Sequence, residues 1–298
     1  MADLDEGTWD LDGYLMGDHL PVVVTRFEVP GADVRAGDLE VPGGDGRTFG
    51  YDYLGGRSLT FELSVNTADG PSAEAVWADL ATRWRAAPTR LTPRAVVPLR
   101  WRRHGGSPVV VYGRPRQLDA VDEALLDRGR VDLTGTFETA DDLFYDDTEQ
   151  VVTLDLLPQI GEGLILPFTL PAVLTPLGDS DTTTLTNAGS GTAWPVITFS
   201  GPITNPGVEW VAHGTRVELI TTLAYDQTAT IDTRPWARTI LRSDGASLAG
   251  SLRGPALDEL AIPPGPTQVR FTGQDMTGSA RATIRMRSAY TAPRGGSS

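Results

Sequence analysis

The chain has 298 residues, a formal net charge of −14 and 40% apolar residues, enough for packed cores and for two domains. It contains no cysteine and no lysine, so all 25 basic residues are arginine. Disulfides, thiolate catalysis, a lysine-bearing phosphate loop and Schiff-base chemistry are thereby excluded.

The 33 glycines and 22 prolines predict many short strands and turns. No apolar run has the length of a membrane span, and the acidic start lacks the basic region of a signal peptide. Residues 1–20 read as an arm. Val23, Thr25, Phe27 and Val29 alternate as a first strand, ended by Pro30 and Gly31. Residues 33–45 form a polar, glycine-rich loop. Phe49, Tyr51 and Tyr53 alternate before a turn at Gly55 and Gly56, and Leu59, Phe61, Leu63 and Val65 alternate after it. The two runs are expected to pair as a hairpin.

One helix is expected over 72–86. Pro71 or Ser72 opens it, Glu74 suits the dipole in its first turn, and Pro88 stops it. Val76, Trp77, Leu80 and Trp84 form its apolar stripe. Strands follow at 97–101 and 109–112, joined by Gly105 and Gly106, and 118–126 is a short helix or a strand. Val131, Leu133, Gly135 and Phe137 alternate in a last strand that closes the first domain near residue 147. Residues 157–182 are apolar and punctuated by proline, which excludes a central strand or helix and marks an ordered connector. Thereafter the pattern is all-β. Strands are expected at 196–200, 215–223, 228–232, 268–272 and 281–287, separated by turns at 201–202, 205–207 and 263–265.

The charge is uneven. Eleven arginines stand between Arg83 and Arg130 against four acids, Asp119, Asp122, Glu123 and Asp127. Such a belt meets nucleic acid or an acidic neighbouring subunit, or else it is a solvated face. Strand alternation sends Arg100 and Arg102 to the face opposite Leu99 and Trp101, so both are expected to face solvent or a neighbour. Arg103, Arg114 and Arg116 complete the candidate contact set, and the acids at 138–149 are a candidate partner for it on an adjacent copy.

Catalytic signals are weak. His19, His104 and His213 lie far apart without metal-ligand spacing. Gly189 and Gly191 lack the third glycine of a dinucleotide fingerprint. The acids from Glu138 to Glu149 lack the spacing of a calcium loop. Trp194, Trp210 and Trp236 are candidates for a sugar-stacking platform, although core packing is the more ordinary use of such residues.

Three places resemble the distal tail (Dit-like) proteins of long, non-contractile-tailed bacteriophages. They are GGRSLTFELSV (55–65) with the tryptophan-bearing helix, VDLTGTFETADDLFYDD (131–147), and the pair GEGLILPFTLP (161–171) and NAGSGTAWPVITFSGPITNPGVEW (187–210). The resemblance implies a mainly β chain with a barrel-like or β-sandwich ring domain carrying one helix, and a galectin-like jelly-roll sandwich. The expected division is an arm (1–20), a ring domain (21–150), a connector (151–182), a galectin-like domain (183–290) and a flexible tail (291–298). It also implies a non-enzymatic virion protein without cofactor or bound metal, made in the host cytoplasm. Six copies would form a ring at the tail tip, contacting tail tube, tail-tip hub, tape-measure and other minor tail proteins. DNA would pass through without specific binding, and no membrane would be entered. The alternative is a carbohydrate-binding module contacting host-surface glycans.

Overall fold

The chain turns back on itself within its first twenty residues. Asp12 and Gly13 both have positive φ, 49° and 89°, the backbone of a tight two-residue hairpin turn. They join β1 (Thr8–Leu11) to β2 (Tyr14–Gly17), with Leu11 opposite Tyr14. The stretch expected to be an arm is thus part of the sheet, and Leu11 and Met16 enter its core. The computed structural model describes residues 3–156, 182–275 and 277–293. It divides into two units, Met1–Asp147 with Tyr290–Ser298, and Thr148–Ala289.

In the first unit, β3 (Val22–Glu28) leads into an excursion: β4 (Val34–Ala36), β5 (Leu39–Glu40), β6 (Arg47–Thr48) and β7 (Asp52–Leu54). β4 pairs with β7 and β5 with β6, so the excursion is a ribbon, and the glycine-rich 33–45 stretch is its outgoing half. The expected hairpin between 49–53 and the following strand does not form. Alternation identifies a strand without naming its partner.

That following strand is β8 (Ser58–Asn66). After it come α1 (Gly70–Arg85), α2 (Ala87–Arg90), β9 (Val97–Arg102), β10 (Val109–Asp122), β11 (Arg130–Thr139) and β12 (Phe144–Asp146). The sheet order is β2-β1-β9-β10-β11-β8-β3, with β12 paired to β10. β2 and β3 end this path yet touch each other. Phe27 of β3 meets Trp9 of β1 and Trp101 of β9, ring centroids 5.9 and 5.2 Å apart. The sheet therefore curls, barrel-like, around one aromatic core. The ambiguous 118–126 stretch continues β10 through two bulges and ends in a short 3-10 turn, Leu126–Arg128.

The second unit is a two-sheet sandwich. Its strands are β13 (Gln150–Asp155), β14 (Thr182–Asn187), β15 (Val196–Ser200), β16 (Ile203–Trp210), β17 (Thr215–Leu219), β18 (Thr222–Leu223), β19 (Thr228–Asp232), β20 (Thr239–Arg242), β21 (Leu252–Arg253), β22 (Gly265–Gln274) and β23 (Arg281–Met286). β24 (Ala289–Tyr290) takes the chain back toward the first unit. One sheet runs β13-β23-β15-β19-β20, the other β14-β22-β16-β17-β21, with β18 on β16. Phe199 of one sheet stacks on Phe271 of the other, 5.9 Å between centroids. The expected turn at 205–207 lies inside β16. Pro206 cannot donate to a ladder, and the strand accommodates it as a bulge, with Asn205 at φ 52°. Residues 150–155, most of them assigned to the connector by sequence, pair with β23. The rest of the expected connector, 157–181, lies outside the described residues, as do 294–298 of the expected tail.

The cap of α1 is Asp69, whose carboxylate accepts the Ser72 N–H at 2.8 Å. The helix therefore begins before the predicted start, and its first turn holds no acid; Glu74 falls in the second. It stops because Ala86 takes the left-handed conformation, φ 41°, while Pro88 lies within α2. The predicted stripe does face inward: Leu80 and Trp84 are buried, and Val76 and Trp77 are partly covered. Trp84 meets Phe61 edge-on at 5.6 Å, and a Cβ at Gly135 would stand 2.5 Å from its indole. Gly135 is the flat seat of that ring. Gly135→Val should cost about 1–3 kcal/mol by overpacking, and adding Trp84→Phe should recover part of it. Thermal melting checks both, and an unchanged melting temperature in Gly135→Val contradicts this packing.

Candidate interaction surface

Arg100 is not at the surface. It is 6% exposed, with its guanidinium held between two carboxylates, Asp10 at 2.9 Å and Asp147 at 2.6 Å. Strand β1 explains the departure from expectation. It lies along β9 with Asp10 directly opposite Arg100, so the Asp10 carboxylate stands beside the guanidinium on the face away from Trp101, where Asp147 meets it as well. The hydrogen bonds that Arg100 donates to Asp147, opposed by burial, raise its pKa above the usual value. Asp147 is thus committed within its own chain and does not await a neighbour's arginine.

The rest of the belt divides. Arg102 donates to the carbonyls of Gly106 and Leu4, both at 3.2 Å, and reaches Glu6 at 3.4 Å. Arg114 donates to the carbonyls of Ala95 and Thr92, both at 2.7 Å, and staples the loop after α2. Arg103 lies over the Phe27 ring at 5.7 Å. Arg116 is exposed, and its guanidinium has no hydrogen bond or ion pair among the described residues. Of the five candidate contacts, Arg103 and Arg116 are exposed, Arg102 and Arg114 are partly covered, and Arg100 is buried. Among the described residues, no three His, Asp or Glu side chains are grouped to hold a metal ion. His104 instead sits 2.8 Å from Asp18.

The open surface that sequence reasoning passed over is the β4–β7 ribbon. Phe49 is 79% exposed, Tyr51 84% and Leu39 70%, and Val34, Tyr53 and Leu54 are also exposed. Covering each such side chain is worth about 1.5–3 kcal/mol, and large apolar side chains exposed in this number on one short segment mark an interaction site. A signal existed: Phe49, Tyr51 and Tyr53 alternate as a strand face, yet the glycine- and aspartate-rich residues before them supply no core to meet it.

Arg57 ties the root of this arm. It donates to the carbonyls of Pro30 at 2.8 Å and Asp142 at 3.1 Å, and lies over Phe144 at 4.9 Å. Beside it, Asp141 accepts the Tyr145 hydroxyl at 2.5 Å. The residue is only partly covered as a whole, but its carboxyl is enclosed, and burial pushes its pKa up to about 7 against the Tyr145 hydrogen bond. Burial and the facing Asp141 raise the Tyr145 pKa as well.

Trp210 is 2% exposed, and a stacked sugar needs a free ring face. Trp194 and Trp236 are half-buried, and the Arg234 guanidinium, held by Asp232, lies 5.5 Å over Trp236. That burial corrects the glycan assignment for Trp210.

Two outcomes follow from the buried charges. Arg100→Ala strands two carboxylates and should cost about 3–5 kcal/mol, read as a large drop in melting temperature. A wild-type melt would contradict the clamp. For Asp141 the folded pKa lies above the unfolded value, so its contribution is fully present below about pH 4 and fades as pH rises through about 7. Stability should fall by up to about 1 kcal/mol per pH unit between pH 5 and 7. Asp141→Asn should flatten that slope in denaturant titrations; an identical slope in the variant would assign the effect elsewhere.

No protein-family model and no curated protein matches the chain. Among solved structures it is similar to the Dit protein (gp 19.1) of phage SPP1, described as a hub of the adsorption apparatus in Gram-positive-infecting phages. The TM-score is 0.52 at 16% identity, over 95% of this chain and 98% of that one. It is also similar to a chain of the phage P2 baseplate in its activated conformation with Ca, TM-score 0.56 at 14% identity, over 93% and 97%. The p2 baseplate with Sr gives 0.55 at 12% identity, over the same shares. At these identities the likeness is one of fold, and it extends nearly end to end: this chain has the mainly β fold of those phage hub and baseplate chains.

Proposed function

We propose that the chain is a structural, non-enzymatic protein of a bacteriophage tail tip. Six copies close head to tail into a ring between tail tube and tip proteins, and the ring leaves a channel for DNA. In this reading the 1–147 unit builds the ring. Tail tube, hub and tape-measure proteins are its partners, and it needs no cofactor.

The observation that carries the reading is the arm. A ribbon with its large apolar side chains in solvent is a poor feature for an isolated monomer and a natural one for a closed assembly. The fold likeness to phage hub and baseplate chains supports the same role. The remaining open arginines suit rim contacts, because guanidinium pairs with carboxylate in a directed, bidentate way.

Light scattering and electron microscopy of the full chain, alone and with tube protein, test the ring. Replacing Phe49, Tyr51 and Tyr53 together with serine should leave the melting temperature near wild type, since all three are already exposed. The same variant should lose the ring. A wild-type chain that stays monomeric under every condition, including in assembled tails, contradicts the reading.

A further inference from the structure

Between α1 and β10 lies an open groove of about 480 Å³. Ala78, Ala81 and Thr82 form its helical wall, Leu118 its strand wall and buried Trp84 its floor. Arg85 and Arg116 flank it. Both are exposed, and neither guanidinium has a hydrogen bond or ion pair among the described residues. Arg90 adds positive charge at the end of α2, while Arg83 is paired with Asp79 at 4.0 Å.

The arm is the chemical counterpart of this groove. Over residues 31–55 it carries five acids, Asp33, Asp38, Glu40, Asp45 and Asp52, against two arginines, Arg35 and Arg47. Its aromatic side chains and its carboxylates Glu40 and Asp52 all stand in solvent. The groove is open and the arm is uncovered, so the two do not meet within one chain.

We infer that the α1–β10 groove is the receptor for the arm of a second copy of this chain. The inference rests on the ring reading above and names its contact. Small side chains on the helical wall let a ribbon backbone approach closely. Trp84 and Leu118 offer an apolar floor to Phe49 or Tyr51. Arg85 and Arg116 meet arm carboxylates or stack on tyrosine rings. An arm on one place of the surface and its receptor on another make a head-to-tail contact, the kind that closes into a ring when the rotation allows.

The chain has no cysteine, so an engineered pair reports this contact without background from native thiols. Full-length protein carrying Tyr51→Cys mixed with protein carrying Ala78→Cys should oxidise to a mixed dimer, and a chain carrying both should give a covalent ladder. Arg85→Glu with Arg116→Glu should weaken self-association at least tenfold. Glu40→Arg with Asp52→Arg on the arm should restore it when the two double variants are mixed. Rings that form at unchanged affinity in the groove variant, with no mixed disulfide, overturn the groove and leave the ring standing. A strict monomer in solution and in assembled tails overturns both. Gel shifts with duplex DNA complete the test: tight binding abolished by the groove variant, with rings intact, would assign the arginines to nucleic acid instead.

Discussion

The first unit depends on a buried cation. Arg100 lies in the middle of β9 with its charge out of water, and it is tolerable there only because two carboxylates meet it. They come from opposite ends of the unit's sequence. Asp10 belongs to the N-terminal hairpin, and Asp147 is the last residue before the chain enters the sandwich. One guanidinium thereby fixes the start of the chain, a central strand and the exit to the second unit. Such an arrangement specifies where β1 must lie more firmly than apolar packing alone, since any slip of register would leave a charge unpaired.

This clamp also marks where the sequence was hard to read. Alternation placed Leu99 and Trp101 inward correctly and then assigned Arg100 to solvent, because period two says only that a residue is on the other face. Whether that face is wet depends on a strand ninety residues away. The local signal for that strand was present in Asp12 and Gly13, a strong hairpin dipeptide flanked by Leu11 and Tyr14, but Trp9, Asp10 and Leu11 do not alternate in polarity because both faces of β1 are covered. The stripe of α1, the strands β8 and β11, and most strands of the sandwich were legible, since each buries one face and repeats at its proper period. Pairing was not. Phe49, Tyr51 and Tyr53 look like a core strand, and only the missing apolar partner reveals an external ribbon. Pro206 looks like a turn, and only the ladder on both sides of it reveals a bulge.

The arm and the clamp express opposite demands. Arg100, Trp101 and Gly135 give the unit a rigid frame before any partner arrives. The ribbon is two successive pairs of short strands beyond the frame, β4 with β7 and β5 with β6, with its apolar side chains uncovered, and an isolated two-stranded ribbon is marginal in water. In the proposed assembly its order is completed by contact. Arg57, which holds the ribbon's root to the 139–145 segment, is the joint between these two regimes, and Asp141 places a group titrating near neutrality beside that joint. In the proposed assembly, frame stability and ring stability are therefore separable quantities, carried by different residues.

The most direct measurement is hydrogen exchange on the full chain, free and in the assembled tail tip. The amides of 34–54 should exchange fast in the free protein and become strongly protected on assembly, together with the C-terminal half of α1, while β8 and β11 are protected in both states. Unchanged fast exchange across 34–54 in the assembled tail, with protection appearing elsewhere on the chain, would contradict the proposed assembly.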